Sequence, residues 1–368
     1  MAGVTNAAFR GLCRSYGAGL YVSEMVSARA LVEAGAPARG APRHGRSAAR
    51  STRMATFADD EPCRSIQLYG VDPLVVGEAV RRLVEGQGAD HVDLNFGCPA
   101  PKVTRKGGGS ALPLHTVLFA RLVAAAVRAA GAVPVTVKLR IGLDDAHRTS
   151  VPAGLAAEAE GAAAVALHAR TAEQLYAGAA DWSAITELKA AVTTIPVLGN
   201  GDIWEAADAQ RMMAATGCDG VVVGRGCLGR PWLFGDLADA FAGRDVGPPP
   251  RLGVVAEVLR RHARLLCELL GEEAGCRDVR KHVGWYLTGY PVGGQRRRRL
   301  GQVVTLAELD ATLDELDPSL TLPPGAERLA RGHTNGPRPV HLPDRWLQTL
   351  DDPSPPAGAD AFAVVSGG

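Results

Sequence analysis

Along the first two-thirds of the chain, short apolar runs alternate with longer stretches whose apolar residues recur at helical spacing. The runs fall at 20–26, 65–69, 91–96, 135–141, 164–168, 195–199 and 220–224. Ala- and Leu-rich segments at 73–85, 115–130, 182–191 and 204–215 lie between them. Runs this continuously apolar mark strands buried on both faces, as in a parallel sheet covered by helices. Strand-then-helix units in such succession predict an α/β fold, a (β/α)8 TIM barrel without its first strand. Residues 1–6 already read as the mouth of a strand that leads into a helix over 7–16. The front strand is therefore expected upstream of Met1, because an open barrel would expose two unpaired edges. A doubly wound open sheet is the structural alternative.

The pattern changes at Gly247-Pro-Pro-Pro250, a stiff break. Beyond it Val255, Val258, Leu259, His262, Leu265, Leu266 and Leu269 repeat at helical spacing, and further helical stretches follow at 277–287 and 306–316. The expected organisation is a barrel over 1–246, a small helical domain over 251–318, and a Pro/Gly-rich, loosely held tail over 319–368. Residues 37–53 form an Arg-, Gly- and Ala-rich loop.

Composition narrows the class. The chain has 368 residues, 46% hydrophobic and 21% charged, with net charge +1, which describes a globular protein with a full-sized core. No apolar run reaches the roughly 18 residues of a membrane span. Seven scattered cysteines with no C-x-x-C pair argue against a disulfide framework or a zinc site, so no metal is expected and a reducing, cytoplasmic setting is. The overall charge hides a local surplus: residues 251–300 hold eleven Lys/Arg against five Asp/Glu. Only five of the 40 basic residues in the chain are lysines, so a retained lysine points to a place where a compact ammonium is wanted.

In a barrel of this kind the working groups sit at the C-terminal ends of the strands, with phosphate held after the last two. Those ends read Gly199-Asn-Gly-Asp202 and Gly224-Arg-Gly226, bare backbone amides with Arg225 beside them. Gly224 to Gly229 also matches G-x-G-x-x-G, but it closes the last unit instead of opening the first, which excludes a dinucleotide fold. In Asp93-Leu-Asn-Phe-Gly-Cys-Pro99 a strand delivers Asn95 to its end, and a glycine and a proline pin Cys98 at the mouth. A thiol near its ordinary pKa of ~8.5 is mostly protonated at neutral pH, which suits a proton donor. The basic, glycine-rich loop 102–109 after it reads as a flexible lid. Lys138 and Arg140, then His168 and Arg170, place charge inside apolar strands, where an anionic cofactor would balance it. Gln67 offers an amide at the same rim.

Taken in order, Met1-Ala-Gly-Val-Thr-Asn, Gln67-Leu-Tyr-Gly, Asn95-Phe-Gly-Cys-Pro, Lys102-Val, Lys138-Leu-Arg, His168-Ala-Arg-Thr, Gly199-Asn-Gly-Asp-Ile and Gly224-Arg-Gly resemble the tRNA-dihydrouridine synthases, most of all the bacterial B-type branch. Arg280-Lys-His-Val-Gly-Trp-Tyr286 resembles that family's helical-domain signature, and the likeness covers about residues 1–318. The resemblance implies an FMN enzyme that uses NADPH, or NADH, to reduce the C5=C6 bond of a uridine in tRNA, working as a monomer. It implies that Met1 and Ala2 border the flavin, that Gln67 and Lys138 contact it, and that His168 lies beside it. It assigns the phosphate end to Asn200, Gly201, Asp202, Gly224 and Arg225, the proton donor to Cys98 and the uracil contact to Asn95. Lys102, Arg140 and Arg170 are the further expected substrate contacts. The target base, stacked in folded RNA, would have to be extruded into the pocket, and the basic helical domain would contact phosphates. The chain departs from the family where the usual His-Gly-Arg-Thr reads His168-Ala169-Arg170-Thr171, and where residues 39–53 make a longer loop.

Three rivals stand beside this reading. A flavin-dependent dehydrogenase of free pyrimidines, of the dihydroorotate or dihydropyrimidine type, would need no basic helical domain. A non-catalytic RNA-binding descendant would not need Cys98 and Lys138. A phosphosugar isomerase or aldolase on the same barrel would leave Asn95-x-x-Cys98 without a purpose.

Overall fold

A computed structural model describes residues 1–17, 19–34, 57–58, 60–332 and 336–356. The arginine-rich loop over 37–53 and the last part of the tail lie outside these described residues.

Seven parallel strands form one sheet in chain order: β1 (Met25–Ser27), β2 (Ser65–Tyr69), β3 (His91–Phe96), β4 (Val135–Arg140), β5 (Ala164–His168), β6 (Val197–Asn200) and β7 (Gly220–Val221). Each strand pairs with the next, as where Asn95 stands opposite Lys138 and Arg140 opposite His168. All seven fall on the predicted runs; β1 and β7 are shorter than expected, with three and two residues. The sheet curls, since every strand contributes a residue to one interior cavity. Among the described residues no strand joins β7 back to β1. On that side Tyr21, ahead of β1, meets Phe234 edge-on at 4.9 Å.

Helices α1 (Ala7–Arg14), α2 (Ala28–Ala34), α3 (Pro73–Arg81), α4 (Pro101–Thr104), α5 (Thr116–Ala130), α6 (Ser150–Ala159), α7 (Ser183–Ala191), α8 (Ala206–Thr216) and α9 (Leu233–Phe241) accompany the strands. Their starts are written locally. Asn6 caps α1 by accepting from the Phe9 N–H, and Asp72 caps α3, with Pro73 at its first turn. One apolar core fills the space between strands and helices, with Val92, Leu94, Val137, Leu139, Val165 and Leu167 pointing outward into it. Burial of this kind contributes about 25 cal/mol per Å² of apolar surface.

The helical unit consists of α10 (Leu252–Leu270), α11 (Glu272–Tyr286), α12 (Gly294–Leu300) and α13 (Leu306–Asp314). Its core takes in Ala8 and Leu12 of α1, so it is fastened to the barrel through that helix. Two expectations change. The segment after Cys98 is packed where a lid was expected: α4 and a 3-10 turn over Gly109–Leu114 form it, and Val103, Ala111 and Leu112 are buried. The tail also departs from a loosely held end, for residues 336–356 return to the barrel and Trp346 is only 5% exposed.

Candidate active site

Strand periodicity decides which side chains face inward. Because successive residues alternate across a strand, the apolar 92, 94 and 96 of β3 face the helices while His91, Asp93 and Asn95 face the barrel interior. On β4 the inward set is Thr136, Lys138 and Arg140; on β5 it is Ala164, Ala166 and His168. These positions line a cavity of about 620 Å³, of the size that takes a cofactor or drug-sized ligand. Met1, Ala2, Gln67, Asn95, Cys98, Lys138, Arg140, His168, Asn200, Gly201, Asp202, Gly224 and Arg225 all border it. Of the expected contacts, Lys102 on α4 and Arg170 do not.

Cys98 is held by its backbone. The Cys98 N–H donates to Asn95 Oδ1 at 2.9 Å, and the Gly97 N–H donates to the same oxygen at 3.2 Å. Asn95 is oriented in turn, since its Nδ2 donates to Gln67 Oε1 at 2.8 Å and Gln67 Nε2 donates to Asp93 Oδ2 at 2.7 Å. Thr136 Oγ1 donates to the other oxygen of Asp93 at 2.6 Å. An acceptor-only carboxylate at the base of this chain therefore fixes which way both amides point. Burial pushes the Cys98 thiol up, against the lowering influence of a backbone hydrogen bond and of Arg140 and Lys102, so it stays protonated at neutral pH. Burial raises the Asp93 carboxyl as well, opposed by its bonds from Gln67 and Thr136.

The wall beside it is cationic, for Lys138 on β4 stands next to Asn95 across the β3–β4 ladder. Lys138 makes one long hydrogen bond, Nζ to Leu139 O at 3.5 Å, and among the described residues no carboxylate pairs with it. Burial, then the charge of Arg140, bring its pKa down to about 7. His168 is held well below its ordinary value by burial and by Arg140 and Lys138, so its ring is neutral. At the rim the Arg225 guanidinium lies 4.4 Å above the Tyr176 ring and 3.9 Å from Asp202. A half-buried ammonium with no carboxylate pair among the described residues, lining one cavity with the Gln67 and Asn95 amides and the neutral His168 ring, and with Arg225 and the Gly224 backbone on the same cavity, fits a planar, acceptor-rich ring carrying a phosphate. The donor set fits a flavin.

Two of the expected substrate groups are spent on the protein. Arg140 Nε donates to Gly97 O at 2.9 Å, and its Nη1 donates to Thr171 O and Leu175 O at 2.8 and 2.9 Å. It braces the Cys98 turn against the loop after β5. Arg170 is 2% exposed; its Nη2 donates to both Asp202 oxygens at 2.8 Å and its Nε to Ala177 O at 3.1 Å. It fixes the Asp202 turn and does not reach the cavity. Sequence reasoning passed over Asp93, Thr136 and Tyr176. The first two could have been found by counting back two residues from Asn95 and Lys138. Tyr176 carried no such signal.

The basic surplus of the helical unit is partly consumed within it. Arg260 pairs with Asp310, Arg299 with Glu315, and Arg297 Nη2 donates to Leu287 O. Arg296 and Arg298 stand exposed on α12.

Comparison with known proteins points to one family. The family model described as "Dihydrouridine synthase (Dus)" matches residues 1–320. A protein of Mycobacterium tuberculosis, "Probable tRNA-dihydrouridine synthase", is 55% identical over 378 residues, covering 100% of this chain and 93% of its own. One of Mycobacterium leprae with the same description is 52% identical, covering 100% of this chain and 99% of its own. The "tRNA-dihydrouridine synthase B" of Xanthomonas axonopodis is 39% identical over 318 residues, covering 86% of this chain and 91% of its own. With a family match that spans the barrel and the helical unit, and relatives alike over the full chain, this protein belongs to the dihydrouridine synthases, flavin-dependent oxidoreductases that act on tRNA.

Proposed function

We propose that this protein reduces the C5=C6 bond of a uridine in tRNA, with FMN as its flavin, NADPH as reductant and Cys98 as the proton donor. The observation that carries the reading is that a protonated thiol, Cys98, and a half-buried ammonium with no carboxylate pair among the described residues, Lys138, line one and the same cavity. A reduced flavin, when bound, supplies the hydride for uracil C6. Lys138, Gln67 and His168 would hold its ring system, with Met1 and Ala2 at its border. Asn200, Gly201, Asp202, Gly224 and Arg225 would hold its phosphate end. The Lys138 ammonium favours the negative charge that such a ring carries, an electrostatic contribution that a water-poor site strengthens.

The protein's own part in the chemistry is proton delivery. Addition at C6 leaves enolate-like charge on the uracil, and Cys98 Sγ–H protonates C5. Asn95, whose Oδ1 is taken by the Gly97 and Cys98 N–H groups, would offer the base its second Nδ2 hydrogen, which makes only a long 3.8 Å contact to Met25 Sδ, toward a carbonyl oxygen of the uracil. Arg140 keeps the Cys98 turn in place through Gly97. Lys102 sits on α4, close enough to lower the thiol's pKa, and would meet substrate phosphate outside the cavity. The target base is flipped out of its stack to reach this depth, while Arg296 and Arg298 contact tRNA phosphates.

No described helix is long and apolar enough to cross a membrane; a cytoplasmic monomer acting on tRNA is the proposed setting. Incubation of the purified protein with NADPH and tRNA that lacks dihydrouridine, followed by nucleoside mass spectrometry, tests the reading. A new nucleoside two hydrogens heavier than uridine supports it. Reduction of free uracil or orotate with no change in tRNA would transfer the assignment to a pyrimidine dehydrogenase.

A further inference from the structure

The match to the family ends at residue 320, but described residues beyond it return to the barrel. Residues within 336–356 touch the loops that follow β3, β4 and β5. The Arg338 N–H donates to Glu173 O at 2.9 Å. Val340 and Leu342 pack on Ala111, Leu143 and Ala172. Arg121 Nη1 donates to Pro353 O at 3.1 Å. At the centre Trp346 is buried, its ring centroid 3.7 Å from that of His115, whose Nε2 donates to Trp346 O at 3.0 Å. The indole Nε1 donates to Ala111 O, also at 3.0 Å.

These contacts converge on the segment that holds Cys98. Gly107, Gly108 and Gly109 are consecutive, and three glycines lose more freedom on ordering than any other tripeptide. Gly107 has φ +74°, and a Cβ built there would lie 2.7 Å from the Trp346 ring and 2.8 Å from Pro356. Gly109 has φ +56°, and a Cβ there would lie 2.4 Å from Cys98 O. One end of the triplet thus abuts the indole and the other abuts the cysteine. Ser110, next to the alanine held by the indole, donates both its N–H and its Oγ–H to Cys98 O, at 3.1 and 3.2 Å. Asn95 holds the Cys98 peptide by its N–H; Ser110 holds it by its carbonyl. Of these two grips, the second is backed by the returning chain.

We propose that the C-terminal strap, through Trp346, positions Cys98 for proton transfer. The proposal rests on the acid role assigned to Cys98 above. Trp346 touches no reacting atom: it acts through Gly107 and Ala111 on Ser110, and through Ser110 on Cys98. Freed of the indole, the glycine triplet regains its conformational range, and the carbonyl grip on Cys98 loosens while the flavin-side wall stays as it is.

The test uses the full-length holoprotein with Trp346→Leu, which fills the slot but neither reaches Gly107 with a ring nor donates to Ala111, and Trp346→Phe, which keeps the ring and loses the donor. Turnover is measured with saturating and limiting tRNA, and alkylation of Cys98 by iodoacetamide is followed by peptide mass spectrometry. Trp346→Leu should lower kcat by about tenfold or more, with KM for tRNA within about twofold, because misplacing a reacting group by about an ångström is enough for such a loss. Cys98 should be alkylated several times faster in that variant, and Trp346→Phe should recover most of both effects. Wild-type kcat in Trp346→Leu overturns the proposal, as does a lower kcat with unchanged Cys98 alkylation, which marks a structural role alone. Should Trp346→Leu fail to retain flavin, Trp346→Met takes its place with the same outcomes: lower kcat with faster Cys98 alkylation supports the proposal, and wild-type behaviour ends it. Full turnover by Cys98→Ala would remove the acid role itself, a failure visible without any strap variant.

Discussion

Replacing Lys138 separates what the fold tolerates from what the cofactor requires. Among the described residues no carboxylate pairs with its half-buried ammonium, and burial followed by the charge of Arg140, against a smaller raising influence of Asp93, brings its pKa from 10.5 to about 7. At about 1.4 kcal/mol per tenfold change in proton affinity, the charged form is penalised by about 5 kcal/mol in the flavin-free protein. Between pH 7 and 10.5, roughly, the unfolded chain therefore holds more protons at this residue than the folded one. Stability should rise with pH across that window and be level, as far as this group is concerned, below it. Lys138→Met removes the dependence. Urea titrations of flavin-free wild type and variant should give a stability difference that is constant up to about pH 7, then grows in favour of the wild type by up to about 1.4 kcal/mol per pH unit. Flavin should bind the variant at least about tenfold more weakly, since the ammonium's partner is lost in a site that screens poorly. Loading the wild type at pH 8 should take up close to one proton, read by calorimetry in two buffers of different ionisation enthalpy. A stability difference that stays level from pH 6 to pH 9, with no proton uptake on loading, would refute the reasoning.

Two further outcomes follow from the same geometry. Cys98→Ala should keep its flavin and its tRNA affinity but lose turnover by about 10²- to 10⁴-fold, the range of a general acid; in the wild type, burial holds the thiol above its ordinary value, so the alkaline fall in kcat from this group belongs above pH ~9, and a fall that begins at pH 7 in stopped-flow single turnovers would contradict the assignment. Replacing Arg296 and Arg298 together by alanine should weaken tRNA binding and make the dependence of log K on log salt shallower by about two, measured by filter binding, with flavin content unchanged.

The strands were readable because parallel strands buried on both faces write themselves as apolar runs, and the chemistry was readable wherever a polar residue interrupted one. Asn95, Lys138 and His168 are such interruptions, and all three face the cavity. What sequence could not supply was distance. Arg140 and Arg170 carry the charge a substrate contact needs, yet backbone carbonyls of the loop after β5 take Arg140 Nη1 and the Asp202 carboxylate takes Arg170 Nη2, while Arg170 Nη1 is buried without a hydrogen-bond partner among the described residues. The glycines 107–109 read equally well as a linker. The indole of Trp346, more than two hundred residues away in the chain, makes Gly107 a packing requirement, and the Cys98 carbonyl does the same for Gly109. A Pro-rich tail without periodicity gives no sign that a single tryptophan anchors it. Tyr176, beneath Arg225, was hidden for a similar reason: an aromatic residue in a loop acquires meaning from the cation that stacks on it.

The central claim is that hydride donor and thiol address the same pyrimidine from opposite sides. The direct test is stereochemical: let the holoenzyme reduce tRNA in deuterium oxide with NADPH deuterated at its transferred C4 hydrogen, digest the product, and read the H5–H6 coupling of the resulting dihydrouridine by proton NMR. Deuterium at C5 and C6 on opposite faces of the ring is the predicted result; deuterium on one face would contradict it.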